Sequence, residues 1–219
     1  MTRFMWLSDS ALTHTGFSSQ SRLLCSMLAK DGHEVIHIAH NYLGQPLRHA
    51  VMDDNQEIKY TILPGDPRRP YCGPYLTNEY VQQFKPDKFG ILLDTFMLKD
   101  NPQAPTWLNQ VNLPESWFWY PSDGGWFPEG CEDVLRRINH PIAMSKFGKE
   151  QVKRLHNIDV KYIPHGIKTQ DFFPLTEDMR SQVKLKYSRE LWAFTNQGYQ
   201  PFPVDLNGKF VIGCVARNQ

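Results

Sequence analysis

Residues 3–39 read RFMWLSDSALTHTGFSSQSRLLCSMLAKDGHEVIHIA, and this stretch decides the fold class. An apolar run, RFMWLS, is followed by a polar loop. A segment from Phe17 to Lys30 then carries Leu23, Leu24, Met27 and Leu28 on one predicted helical face. Gly32 stands just past its end as a stop signal. A second apolar run, EVIHIA, closes the unit. Strand, loop, helix and strand together have the size expected of a right-handed parallel crossover unit.

The alternation continues outward from this unit. Strands are predicted at 58–63, 89–93, 117–120, 141–144 and 160–163, and helices at 78–84, 132–138 and 145–156. The run at 89–93, FGILL, is continuously apolar, as suits a parallel strand buried on both faces. Ser145 is placed to cap the helix after it. Strands alternating with helices in this way predict an α/β fold, a doubly wound, mostly parallel, Rossmann-like sheet.

After Pro174 the character changes. Residues 177–192 are charged and helical in pattern, and 195–207 (TNQGYQPFPVDLN) are polar and turn-like. Residues 209–216, KFVIGCVA, form one more apolar strand close to Gln219. The expected organisation is therefore a Rossmann-like domain over 1–174 and a linker over 175–208. Residues 209–219 would open a further domain that is missing from the chain.

Composition narrows the function classes. The 24 basic and 23 acidic residues leave a formal net charge of +1, which gives no support for nucleic-acid binding. Of the cysteines at 25, 72, 131 and 214, none forms a Cys-x-x-Cys pair, so free thiols in a reducing compartment are expected. The eight histidines show no metal spacing, and no Gly-x-Ser-x-Gly elbow is present. The amino terminus is too short in apolar residues for a signal peptide. No segment reaches the roughly 20 apolar residues that span a bilayer. These features point to a cytoplasmic protein. Peripheral membrane contact stays open, because Lys146, Lys149, Lys153 and Arg154 share one helix. They read either as a solvated face or as a surface for anionic head groups.

In open α/β sheets, ligands bind beyond the carboxyl ends of the strands, which singles out the loops there. The loop SDSALTHTG, 8–16, enters a helix starting Ser18, Ser19, Gln20, Ser21 with no acidic residue in its first turn. Such an end accepts anions if its hydroxyls and amides are free, and is otherwise an ordinary serine-capped start. The single glycine there falls short of a dinucleotide fingerprint. In YPSDGGWFPEG, 120–130, Asp123 precedes two glycines, and Trp126 and Phe127 could stack on a sugar ring or pack on the core. Asp94, just after FGILL, reads as a cap.

Three pieces in this order resemble the amino-terminal domain of the GT-B-fold, group 1 family of retaining glycosyltransferases. They are Gly16-Phe17 leading to Gly32-His33-Glu34-Val35, then Ile142 to Gly148 (IAMSKFG), then Ile163-Pro164-His165-Gly166-Ile167 followed by Phe172-Phe173-Pro174. In that family the last piece commonly has Asp where Lys168 stands. The resemblance covers nearly the whole chain, which would be one half of a GT-B architecture, on the acceptor side.

The resemblance implies transfer of a hexose, with retention, from a UDP- or GDP-sugar to a hydroxyl of a carbohydrate, lipid or protein acceptor, with no metal and no cofactor. It implies that Gly16 lets the backbone approach the donor phosphate. Ala216-Arg217 matches a Gly-Arg pair whose Arg clamps the donor diphosphate, and the partner Lys would lie beyond Gln219. Many members place a His after the strand matching 117–120, where this chain has Pro121-Ser122-Asp123. Asp123 is thus the candidate catalytic group. Thr15, Ser122, Trp126 and His165 are expected to line the cleft, His165 as a lining or hinge residue. The chain alone would be inactive. A non-catalytic carbohydrate- or lipid-binding module and a nucleotide-sugar epimerase of the same fold are the competing readings.

Overall fold

A computed structural model describes residues 1–53, 55–67, 73–98, 107–122, 124, 127, 130–167, 169–170, 172–190, 192–195, 198–201 and 206. The chain divides into two compact units, Met1–Gly166 and Ile167–Gln219.

The first unit is built in chain order from β1 (Arg3–Ser8), α1 (Gly16–Lys30), β2 (Glu34–Ala39), β3 (Leu47–Asp53), β4 (Gln56–Pro64) and α2 (Pro74–Phe84). It continues through β5 (Lys88–Leu92), β6 (Glu115–Tyr120), α3 (Cys131–Arg137), β7 (His140–Ala143), α4 (Lys146–His156) and β8 (Lys161–Tyr162). The eight strands form one sheet in the order β3-β4-β2-β1-β5-β6-β7-β8. Every pairing is parallel except β3 with β4. The fold is therefore the expected doubly wound, mostly parallel, Rossmann-like α/β sheet.

Alternation along each strand sends side chains to two cores. Met5, Leu7, Phe89, Ile91, Phe118 and Tyr120 pack on one face, with residues of α2, α3 and α4. Trp6, Val35, Tyr60, Ile62 and Leu92 pack on the other, with Cys25 of α1. Two helix-covered faces explain why FGILL is apolar throughout. Its one glycine has a packing cause: a Cβ on Gly90 would lie 2.2 Å from Cε3 of Trp6 on the neighbouring strand.

Helix α1 shifts the predicted apolar face, for Leu24 and Leu28 pack on the core as expected while Met27 does not. Ser18, Ser21 and Cys25 are its buried residues, while Met27 is 61% exposed. The sheet-facing line runs through 18, 21, 25 and 28, one turn-step away from the line through Leu23 and Met27. Small residues there let the helix approach Trp6, whose Nε1 donates to Ser21 Oγ at 3.1 Å. Thr15 caps the helix by accepting from the Ser18 amide. Gly32, with φ of +82°, turns the chain out of it.

The hairpin β3–β4 adds an edge strand, β3, that is not among the predicted strands. Residues 56–64 alternate inward at Ile58, Tyr60 and Ile62, and Asn55 takes a positive φ of 64° at the turn. An antiparallel edge strand on a parallel sheet needs only such a tight turn. Helix α2 also starts earlier than predicted, at Pro74, where proline's missing N–H costs nothing.

In the second unit, α5 (Glu177–Glu190) is followed by β9 (Trp192–Thr195) and β10 (Gly198–Pro201), paired antiparallel. Trp192 thus leaves the predicted helix, and the supposed turn region begins with a strand. The predicted strand at 209–216 lies outside the described residues. Cys25 and Cys131 are buried and in no disulfide; Cys72 and Cys214 lie outside the described residues.

Candidate functional site

Strand order places a switch point between β1 and β5. From β1 the chain crosses to β2 on one side, and from β5 to β6 on the other. The loops leaving these two strands therefore diverge and open a crevice at their carboxyl ends. Its floor is closed by Ser8, whose Oγ donates to the Leu92 carbonyl at 2.8 Å.

The loop after β1 is organised by two histidines at the end of β2. His37 is fully buried. Its Nε2 lies 3.2 Å from the Ala11 amide and 3.1 Å from the Asp9 carbonyl, and its Nδ1 lies 3.1 Å from the Trp6 carbonyl. Burial pushes its pKa down to about 4, so this imidazole is neutral and structural. His40 is 5% exposed and places Nε2 2.7 Å from Asp9 Oδ1. The other oxygen of Asp9 accepts from the Thr15 hydroxyl. Burial raises the Asp9 pKa, but the hydrogen bonds from His40 and Thr15 outweigh it. Its carboxyl is held below the usual range.

This network changes the reading of the α1 amino end. The helix has no acidic residue in its first turn, yet Asp9 brings a carboxylate to its cap from the preceding loop. That supplies the negative charge which the helix dipole favours. The serines are spent internally as well. Ser18 Oγ donates to the Thr13 carbonyl, Ser19 Oγ to the Thr15 carbonyl at 3.1 Å, and Ser21 holds the Trp6 indole. Of the two readings of this end, the structure supports the one in which the hydroxyls are engaged internally, with Thr15 as the cap. Gly16 remains open: a Cβ there would meet nothing within 4 Å.

On the other side of the crevice, the segment leaving β8 is gripped from two elements. Trp119 on β6 donates from Nε1 to the Ile163 carbonyl at 2.8 Å. Its ring also meets His165 edge-on, with centroids 4.9 Å apart and planes at 82°. His165 is exposed, and partial desolvation lowers its pKa below the ordinary value. The Gln20 side-chain amide donates to the Gly166 carbonyl at 2.9 Å and accepts from the Gly166 amide at 3.0 Å. The structure thus brings the first turns of α1, next to Thr15 and Gly16, to the turn that carries His165.

Ser122 lies at the start of α4. A Cβ on Gly148 would fall 2.9 Å from Ser122 Cβ and 3.2 Å from Ser145 Oγ, and Ser145 caps α4 through the Gly148 amide. Asp123, Trp126 and Arg217, expected as site residues, lie outside the described residues. Asp94 offers its carbonyl to the Met97 amide at 3.1 Å. The basic face of α4 is partly paired, Lys153 with Asp159 at 2.8 Å and Arg154 with Gln151 at 2.7 Å. Lys146 and Lys149 are exposed.

Asp9, His40, Gln20 and Trp119 are the residues that sequence reasoning missed. For Asp9 and His40 a signal existed, because each directly follows an apolar strand. For Gln20 none did. Among the described residues no group of His, Cys, Asp and Glu could hold a metal, and no helix is long and apolar enough to cross a membrane.

No family model matches the sequence, and no curated protein matches it. Solved structures do match. The fold is shared with a glycosyltransferase. That enzyme, from Rickettsia africae ESF-5, aligns over 85% of this chain and 49% of its own, with TM-score 0.52 and 18% identity. The chain thus spans about half the length of the glycosyltransferase it matches, and at this identity the likeness is one of fold. A sucrose-phosphate synthase chain from Thermosynechococcus elongatus aligns over 84% of this chain and 97% of its own, with TM-score 0.43 and 13% identity.

Proposed function

We propose that the protein is the acceptor-side half of a GT-B-fold retaining glycosyltransferase, which moves a hexose from a UDP- or GDP-sugar to a hydroxyl of a carbohydrate, lipid or protein acceptor. The observation that carries this reading is the crevice at the β1/β5 switch point, in a fold shared with a solved glycosyltransferase.

In this reading Gly16 admits the donor phosphate to the backbone at the start of α1, where no side chain stands in the way. Arg217 provides a cation for the donor diphosphate, which gains negative charge as the sugar bond breaks. Asp123 faces the reaction centre, and Thr15, Ser122, Trp126 and His165 line the crevice. Chemistry of this kind rests on fixed charges and dipoles. The acceptor loses a proton, the anomeric carbon passes through a cationic state, and the leaving diphosphate takes up charge. The donor's nucleotide is assigned to a second domain, so the chain by itself is expected to bind acceptor and to turn nothing over. The exposed Lys146 and Lys149 of α4 suit peripheral contact with an anionic surface.

The deciding experiment is a donor-hydrolysis screen of the full-length protein against common UDP- and GDP-sugars. Hydrolysis or transfer with one of them, lost in Asp123→Asn with donor affinity kept, is the expected result. Full-length protein that binds a glycan or lipid but hydrolyses no donor would replace this reading with that of a binding module.

A further inference from the structure

The segment Ile163 to Gly166 is held to the first unit at both of its ends. Trp119 takes the Ile163 carbonyl, and Gln20 takes both polar groups of Gly166. His165 sits between the two anchors, edge-on to Trp119. The division of the chain into two compact units falls directly after Gly166.

The chemistry of the Gln20 contact is specific. A primary amide offers one donor and one acceptor in the geometry of a peptide group, so it pairs with a backbone residue as a neighbouring strand would. A carboxylate could accept from the Gly166 amide but would oppose the Gly166 carbonyl. Asparagine is a methylene short. The glycine stands in open space, since a Cβ there would have no neighbour within 4 Å. The two residues lie 146 positions apart, so the contact is a tertiary tie and no part of a local turn. It is rooted in the crevice as well, because α1 is capped by Thr15, which is bonded to Asp9.

We infer that Gln20 is a positioning residue: its side-chain amide holds the Pro164–Gly166 turn on α1, and so sets where His165 stands and where the chain leaves the first unit. A ligand that moves the amino end of α1 would move this turn with it. The kinetic consequence rests on the glycosyltransferase reading; the structural one does not.

Amide exchange followed by NMR on the full chain tests the structural part. Gln20→Met keeps the shape and removes both hydrogen bonds. It should speed exchange of the Gly166 amide about 5-fold or more, as loss of one ordinary hydrogen bond would. Gln20→Glu, which keeps the acceptor, should fall between Met and wild type. The Ile163 amide, bonded to the Ala143 carbonyl, should keep its rate. A Gly166 amide that is unprotected in the wild type or unaltered by Gln20→Met overturns the inference. So does equal acceleration at Ile163, which would mean general loosening. In an active full-length enzyme, Gln20→Met should lower kcat with the donor KM kept, and Gln20→Glu should restore part of it; an unchanged kcat would also overturn the positioning role. If the wild type shows no turnover with any donor, the glycosyltransferase reading fails, and the exchange data still decide the role of Gln20.

Discussion

Asp9 and His40 meet at 2.7 Å one residue beyond the paired ends of β1 and β2. The register explains the meeting. Ser8 lies opposite Ala39, and the His40 amide still bonds to the Ser8 carbonyl at 3.1 Å. The next residues on the two strands are therefore neighbours. Asp9 then passes the restraint to Thr15 and so to the start of α1.

Replacing Asp9 should therefore destabilise the first unit beyond the loss of a surface charge. Asp9→Asn removes charge from a side chain only 13% exposed and weakens its bonds to His40 and Thr15. The expected loss is about 1–3 kcal/mol, read from urea denaturation. The acid dependence has a definite sign. The folded pKa of Asp9 is depressed, so its stabilisation is present above the ordinary carboxylate range and is lost as pH falls through the folded value. A variant as stable as the wild type at pH 7 would remove Asp9 from the loop's architecture.

His37 titrates in a different window. It is neutral in the folded protein, with pKa about 4, against about 6.5 in an unfolded chain. The unfolded state binds the proton first. Stability is thus complete above about pH 6.5 and falls by up to about 1.4 kcal/mol per pH unit toward pH 4. Urea midpoints at pH 7, 5.5 and 4.5 should trace this slope, while the His37 ring resonances stay those of the neutral form at pH 5. A ring that protonates near pH 6.5 would contradict the burial argument.

The sheet was legible because its apolar runs are long and separated by capped helices. RFMWLS, EVIHIA and FGILL each fall on a strand of the sheet. What failed were features set by packing across the fold. Period alone drew the apolar stripe of α1 through Leu23 and Met27, whereas the large Trp6 ring selects the small residues Ser18, Ser21 and Cys25. Edge strand β3 carries a polar, interrupted pattern because one side faces solvent, so it resembled a loop. Of the site, the loops were found and the partners within them were not. Asp9 with His40, and Gln20 with Gly166, depend on strand register and on chain returning from far away. The strand-end positions of Asp9 and His40 are legible but their pairing is not, and the contact of Gln20 with Gly166 leaves no local trace in sequence.

Gly148 should resist even a methyl group. Alanine is favoured over glycine within a helix by about 1 kcal/mol, but its Cβ would sit 2.9 Å from Ser122 Cβ. That atom is fixed to the backbone and cannot swing aside, and crowding of this sort costs about 1–3 kcal/mol. Gly148→Ala is thus expected to lower stability on balance. Removing the obstacle with Ser122→Gly in the same chain should recover most of the loss, since the two sites couple directly. Additive effects in thermal or urea denaturation would show that Ser122 does not pack against α4 in this way.

Trp119 makes the last and most direct test, because it acts on His165 in two separable ways. Its indole N–H fixes the Ile163 carbonyl, and its ring shields one side of the imidazole. Trp119→Phe keeps an aromatic ring and drops the hydrogen bond; Trp119→Ala drops both. Partial desolvation lowers the His165 pKa, since a charged imidazolium is worse solvated beside a ring than in water. Trp119→Ala should therefore raise it toward the ordinary value of about 6.5, whereas Trp119→Phe should move it less. The sign follows from the cause: restoring water around the imidazole favours its protonated form, so protonation persists to higher pH. Proton NMR titration of His165 in the three proteins reads this directly. A pKa that falls in Trp119→Ala, or does not move, would mean that the indole is not what desolvates the ring.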